Sequence, residues 1–238
     1  MNFEQRIHYV RSQQARYLDE FDSSVELHAN LEQLQAWQRQ RLAQTYTDFL
    51  QDQQYGAACD FFLTELYTGL DDVRGRDEQL ARVMPLMQRL LPRGALEALV
   101  QALETQLLSV SLDFDMARHS HSRGIVHPMT HEEYAQIYRA TERFKDRHRQ
   151  IRKVRSVVDN LETLVARPGL GTLLKALRGP AHAAGLGTLQ GFLERGFSAF
   201  RSMPRPLRFL DAVEARELRI HRELSEPGDE QRPDACTG

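Results

Sequence analysis

The chain has 238 residues, of which 27 % are charged and 41 % hydrophobic, with a net charge of −2 at pH 7. That balance excludes a global field drawing the protein onto nucleic acid or an anionic membrane. No apolar run approaches the ~18 residues needed to span a bilayer, and the start lacks a basic-then-apolar leader. The two cysteines, Cys59 in an apolar segment and Cys236 in a polar tail, imply a reducing compartment, so the expected location is the cytoplasm.

An apolar period of three and four runs almost from end to end, and no stretch alternates with period two for long enough to read as a strand. The expected fold is therefore all-α: a single-domain bundle over residues 1–224, of about eight or nine helices. A boundary near 120–130 is the competing organisation. The first helix is expected over 3–21, with Phe3, Ile7, Val10, Leu18 and Phe21 on one face. Ser23 and Glu26 have capping-box spacing, and a second helix runs from there to about Leu50. Its stripe is Leu27, Leu31, Leu34, Leu42, Tyr46 and Phe49, interrupted by Gln38. Its outer face is rich in Gln and is a candidate self-association surface.

A short apolar helix follows, from about 54 to 67, with Phe61, Phe62, Leu63 and Leu66 leaving little polar face, and Gly69 ends it. Residues 71–77 form a charged connection. The next helix holds Leu80, Val83 and Met87 and is kinked by Pro85, which removes a backbone donor. A strongly patterned helix is expected from about Ala95 to Met116, then a loop over 117–129. Thr130 and Glu133 form a second capping box. The helical period then either continues unbroken to Val165 or breaks near Thr141. Gly169-Leu170-Gly171-Thr172-Leu173 recurs as Gly185-Leu186-Gly187-Thr188-Leu189, with each Thr placed to cap a helix. The two copies build a hairpin over about 170–203. Pro204 and Pro206 precede a last helix, about Leu207 to Leu224, and 225–238 is a tail expected to be disordered.

Two constellations invite chemistry. His119, His121, His127 and His131 lie within thirteen residues, with Asp113 and Asp115 upstream. Neutral imidazole is a common transition-metal ligand, so a zinc or iron site is one reading; a solvated polar loop is the other. No Glu-x-x-His pair accompanies them, which argues against a ferritin-like oxidase. Glu217 and His221, spaced at four, face each other or water. The second constellation is basic: Arg143, Lys145, Arg147, Arg149, Arg152, Lys153 and Arg155. It would suit nucleic-acid phosphates. Phe144, His148, Ile151 and Val158 form an apolar stripe through the same segment, which makes the cations its outer face.

Phe61-Phe62-Leu63-Thr64-Glu65-Leu66-Tyr67, the Arg76-Asp77 pair, and the segment Gly187 to Phe197 carry a resemblance. The chain resembles an uncharacterised proteobacterial family of helical proteins with Phe-Phe-Leu…Leu-Tyr-Gly and Leu-Gln-x-Phe-Leu-Glu-x-Gly-Phe segments. Thr68 here separates Tyr67 from Gly69, which lengthens that turn by one residue. The resemblance implies a helical fold and a bacterial origin over most of 1–224, and no activity.

Physically, Phe61, Phe62 and Leu66 anchor a core, and Gly191 and Gly196 allow close helix approach. Trp37, Tyr46, Tyr134 and Tyr138 have the spacing of core or interface aromatics. There is no nucleophile elbow and no phosphate-binding loop. The leading functional expectation is a non-enzymatic binding, regulatory or scaffolding protein that acts through helix surfaces on a protein partner or on its own copies. Metal binding through the histidine segment comes second, and nucleic-acid binding through 143–155 third.

Overall fold

The computed structural model describes residues 1–66, 93–125 and 127–226, together with Arg82, Met84 and Gln88. The Gly69 stop, the 71–77 connection, the Pro85 kink, the Arg76-Asp77 pair and the tail beyond 226 lie outside the described residues. Those described are all-α, with ten α-helices and one π-helical turn: α1 Phe3–Ser23, α2 Val25–Thr45, α3 Thr47–Gln51, α4 Gly56–Phe61 running into the π turn Phe62–Leu66, α5 Arg93–Ser122, α6 His131–Ala140, α7 Phe144–Val165, α8 Leu170–Ala183, α9 Gly187–Arg201 and α10 Pro206–Ser225. No helix among them is long and apolar enough to cross a membrane.

Local chemistry sets the boundaries. Asn2 and Gln5 cap α1 reciprocally, each side chain bonding the other's backbone amide at 2.9 Å. Ser24, not Ser23, caps α2: its hydroxyl accepts from the Leu27 amide at 3.1 Å, while Ser23 bonds back to the Glu20 carbonyl. The box at Thr130 and Glu133 forms as the spacing predicts. Helix α2 stops at Thr45 rather than near Leu50, and Tyr46 starts the separate turn α3. Of the two alternatives after Thr130, the break near Thr141 is the one adopted, with Glu142 in the left-handed region at φ 52°.

Two corrections concern helix ends. Helix α5 continues six residues past Met116, so His119 and His121 stand on a helix and not in a loop. Thr172 and Thr188 cap nothing, since neither α8 nor α9 has a side-chain cap. The repeated glycines supply backbone freedom instead. Gly169 and Gly185 adopt φ 85° and 71°. The Gly185 and Leu186 amides return to the carbonyls of His182 and Ala181 and close α8 in a Schellman motif.

Helix α5, roughly 45 Å long at 1.5 Å per residue, is the spine. It packs against α1, α2, α6 and α7, and α10 lies on α6 and α7. One core gathers Leu31, Leu34, Phe114, Met116, Ile137 and Tyr138 at the α1–α2–α5–α6 end. A second gathers Tyr46, Cys59, Phe61, Phe200 and Phe209 where α4, α9 and α10 meet the end of α2. A buried bond from the Ser120 hydroxyl to Asn30 Oδ1, 2.6 Å long, ties α5 to α2.

The α8–α9 hairpin forms as expected, and α9 reaches α4. A Cβ built on Gly196 would lie 2.9 Å from Phe61 Cζ, and that ring is itself packed on Phe62 and Phe192. Gly196→Ala therefore sets a helix-propensity gain of about 1 kcal/mol against overpacking of about 1–3 kcal/mol. A net loss of about 1 kcal/mol in urea denaturation is the expected result. Gly191, by contrast, meets only Arg195 of its own helix among the described residues.

Candidate functional site

Three polar side chains lie on the apolar stripes of three different helices and meet inside the bundle. Gln38 of α2 is 5 % exposed and Arg147 of α7 is 7 % exposed. Between them stands Asp113 of α5. Gln38 Nε2 donates to Asp113 Oδ1 at 3.0 Å, and Arg147 Nη2 lies 3.6 Å from the same oxygen. Arg147 also donates to the Leu112 carbonyl at 3.2 Å, touches Met116 Sδ, and holds its guanidinium 5.4 Å from the centre of the Tyr138 ring. Its Nε is buried without a hydrogen-bond partner among the described residues.

Burial pushes the Asp113 carboxyl above its ordinary value, against the opposing pull of Arg147 and Gln38. The seam continues outward. The Tyr138 hydroxyl lies 2.7 Å from His221 Nδ1 on α10. Burial raises the Tyr138 phenol, so it stays protonated, and the imidazole tautomer sets which of the two groups donates. The His221 ring is 6.1 Å from that of His148. Burial, with His148 and Arg147 adding to it, lowers the His221 imidazole from its ordinary value.

In front of this seam, between α2 and α10, opens a groove of about 570 Å³. The Trp37 indole, stacked on Tyr134 at 3.7 Å and 16°, forms part of its wall. Ile220 and Leu224 add apolar surface, and His131 contributes from α6. The charged groups around it are organised in pairs. Arg41 donates to Glu217 at 2.7 Å, and the Tyr46 hydroxyl reaches the same carboxylate at 2.8 Å. Arg216 forks onto Asp48 at 2.7 and 2.5 Å and lies over the Phe49 ring at 4.6 Å. The Arg216 hydrogen bonds hold the Asp48 carboxyl below the usual range. Arg219 and Glu223, 3.6 Å apart, are each more than 60 % exposed. A pair so solvated contributes little to stability and is free to exchange partners.

Of the two constellations singled out from the sequence, Asp113 and Arg147 belong to the seam and His131 to the groove, and the rest lie apart from both. His119 is half-buried on α5, while His121, His127 and His131 are exposed. His127 pairs with Glu133 at 3.2 Å and with the Pro128 carbonyl at 3.1 Å; His131 lies beside Trp37. Asp115 is engaged by Arg118 and Arg143. No three metal-ligating groups gather among the described residues.

The basic run is matched almost cation by cation within the fold. Arg143 meets Asp115 and Asp146, Arg149 meets Asp146 at 2.7 Å, and Arg155 meets Asp159 and Asp211. Lys153 stands 3.6 Å from Glu104 and Arg152 3.6 Å from Glu214. Lys145 is exposed. Arg147 corrects the outer-face reading, because it faces inward while His148 faces solvent. Glu217 and His221 bond to different helices and not to each other.

Sequence reasoning saw Gln38 only as an interruption and did not find Asp113, Arg41, Arg216 or His221 as partners. The available signal was a polar residue on an apolar stripe, recurring on α2, α5 and α7. No curated protein and no solved structure matches the chain. The model of a family described as a domain of unknown function, DUF8198, matches residues 18–231, and the chain belongs to that family.

Proposed function

We propose that this is a non-enzymatic binding or regulatory protein that works through a helix surface, and that the surface is the α2–α10 groove. The observation that supports this most is the groove itself, about 570 Å³ with the Trp37 indole in its wall. Aromatic side chains with arginines beside them are the groups that dominate binding energy at protein interfaces.

The partner is a segment of another protein. It carries an apolar side chain for Trp37 and Ile220, and a carboxylate for Arg219. The loosest pair in the lining supports this choice, since Arg219 and Glu223 are 3.6 Å apart and each more than 60 % exposed, which leaves that guanidinium able to exchange partners.

Trp37 is the only tryptophan in the chain and so reports on its own groove. A random peptide library selected on the protein should enrich acidic peptides with one aromatic or aliphatic anchor. Those peptides should shift the Trp37 emission and lose at least about tenfold in affinity on Arg219→Glu or Ile220→Asp. The reading is overturned if nothing is enriched, if the enriched peptides are blind to both substitutions, or if a metabolite is turned over and the turnover is lost on the same substitutions. Self-association abolished by Ile220→Asp would make the occupant a second copy of this chain.

A further inference from the structure

Helix α10 forms one side of the groove through Arg216, Arg219, Ile220, Glu223 and Leu224. Its opposite face is held to α6 and α7 in part by His221, which meets the Tyr138 hydroxyl and faces the His148 ring. We propose that α10 is a proton-controlled wall: protonation of His221, which faces Tyr138 of α6 and His148 of α7, loosens α10 from α6 and α7 and opens the side of the groove. The consequence for binding rests on the groove reading above, but the movement of the helix does not.

The argument starts from what surrounds His221. From α6 comes the Tyr138 hydroxyl, 2.7 Å from Nδ1. From α7 come the His148 ring at 6.1 Å and Arg147, whose guanidinium lies 5.4 Å from the centre of the Tyr138 ring. Further along α7, Arg152 and Arg155 face Glu214 of α10 at 3.6 Å each. From α2, Arg41 is bonded to Glu217. On α10 itself, Ser225 donates to the His221 carbonyl at 2.6 Å. Glu217, one turn earlier, is held by Arg41 and Tyr46.

The groups gathered around the imidazole are therefore cationic or neutral, and the carboxylates of α10 in this region are already engaged by arginines. Protonation leaves both ring nitrogens of His221 as donors and places a second charge beside Arg147. Imidazole is the side chain whose ordinary titration lies in the physiological range.

The sign follows from the lowered value of His221. The undocked helix binds its proton first. Docking is fully favourable above the ordinary histidine value of 6.5 and weakens as pH falls through it toward the lowered value of the docked state.

The test is amide hydrogen exchange on the full chain at about pH 7.5 and about pH 5.5, corrected for intrinsic exchange, with α1 as internal reference. Protection in α10 should fall at least about fivefold relative to α1 at the lower pH. His221→Gln keeps an acceptor for Tyr138 and should reduce the change to less than about twofold. His148→Gln, at an exposed position that does not threaten folding, should roughly halve it.

An α10 whose relative protection is the same at both values of pH overturns the proposal. So does a loss that is unchanged in His148→Gln and, where it folds, His221→Gln. The measurement needs no ligand. A groove that binds no peptide leaves it standing, and a groove that binds peptides equally at both pH values while α10 loosens separates the two ideas.

Discussion

Replacing Arg147 with alanine should destabilise the protein by about 3–5 kcal/mol, the typical consequence of leaving one half of a buried ion pair uncompensated. The partner stranded is Asp113, whose side chain is 15 % exposed and which would keep only the Gln38 hydrogen bond. The companion variant with both Asp113→Asn and Arg147→Met should recover most of the loss, because no charge is then left inside and Asn still accepts from Gln38. The loss should also depend on pH. Burial already raises the Asp113 carboxyl, and removing Arg147 raises it further. The deficit against the wild type is full above that raised value and shrinks as pH falls toward the ordinary 3.8, below which folded and unfolded chains are both protonated at this group. Urea denaturation across pH checks both statements. A loss under about 1 kcal/mol at neutral pH would mean that Asp113 finds water once the guanidinium is gone.

Phe114→Ala should cost a similar amount, about 3–5 kcal/mol, for a different reason. Phe114 is 0 % exposed at the centre of the core that α5 shares with α1, α2 and α6, and its ring lies 4.9 Å from that of Tyr17. Because α5 is packed on several sides, its neighbours cannot all collapse into the space left behind. Leu173, which is 41 % exposed on α8, gives the contrast: Leu173→Ala should change stability by less than about 1 kcal/mol. A thermal or chemical melt of the two variants side by side decides whether the spine carries the fold as described.

Helical periodicity made the architecture readable. The stripe Leu27–Leu31–Leu34 marked a buried face because a 3.6-residue turn leaves no other way to remove those side chains from water together. The site was not readable in the same way, since its members come from α2, α5, α6, α7 and α10 and no spacing along the chain encodes their meeting. On α7, positions 147 and 148 straddle the stripe between Phe144 and Ile151. The sequence alone favoured the less polar His148, yet Arg147 turns inward because Asp113 and Gln38 wait there. The misplaced caps have a local cause. Thr172 and Thr188 have the right chemistry, but left-handed Gly169 and Gly185 bend the chain without them. Residues 117–122 looked like a loop because their polar side chains mask a helix anchored underneath by Met116, Ala117 and Ser120, each 0 % exposed.

The pairing of cations along α7 has a kinetic consequence. Opposite charges a few ångströms apart cancel at long range, and at physiological salt a residual field decays within about 8 Å. With a net charge of only −2, the folded chain casts almost no electrostatic shadow into the surrounding solution. A partner meets it at the unsteered rate, on the order of 10⁵–10⁶ M⁻¹ s⁻¹ and nearly independent of ionic strength. Differences in affinity between partners are then set by how long each stays rather than by how quickly it arrives.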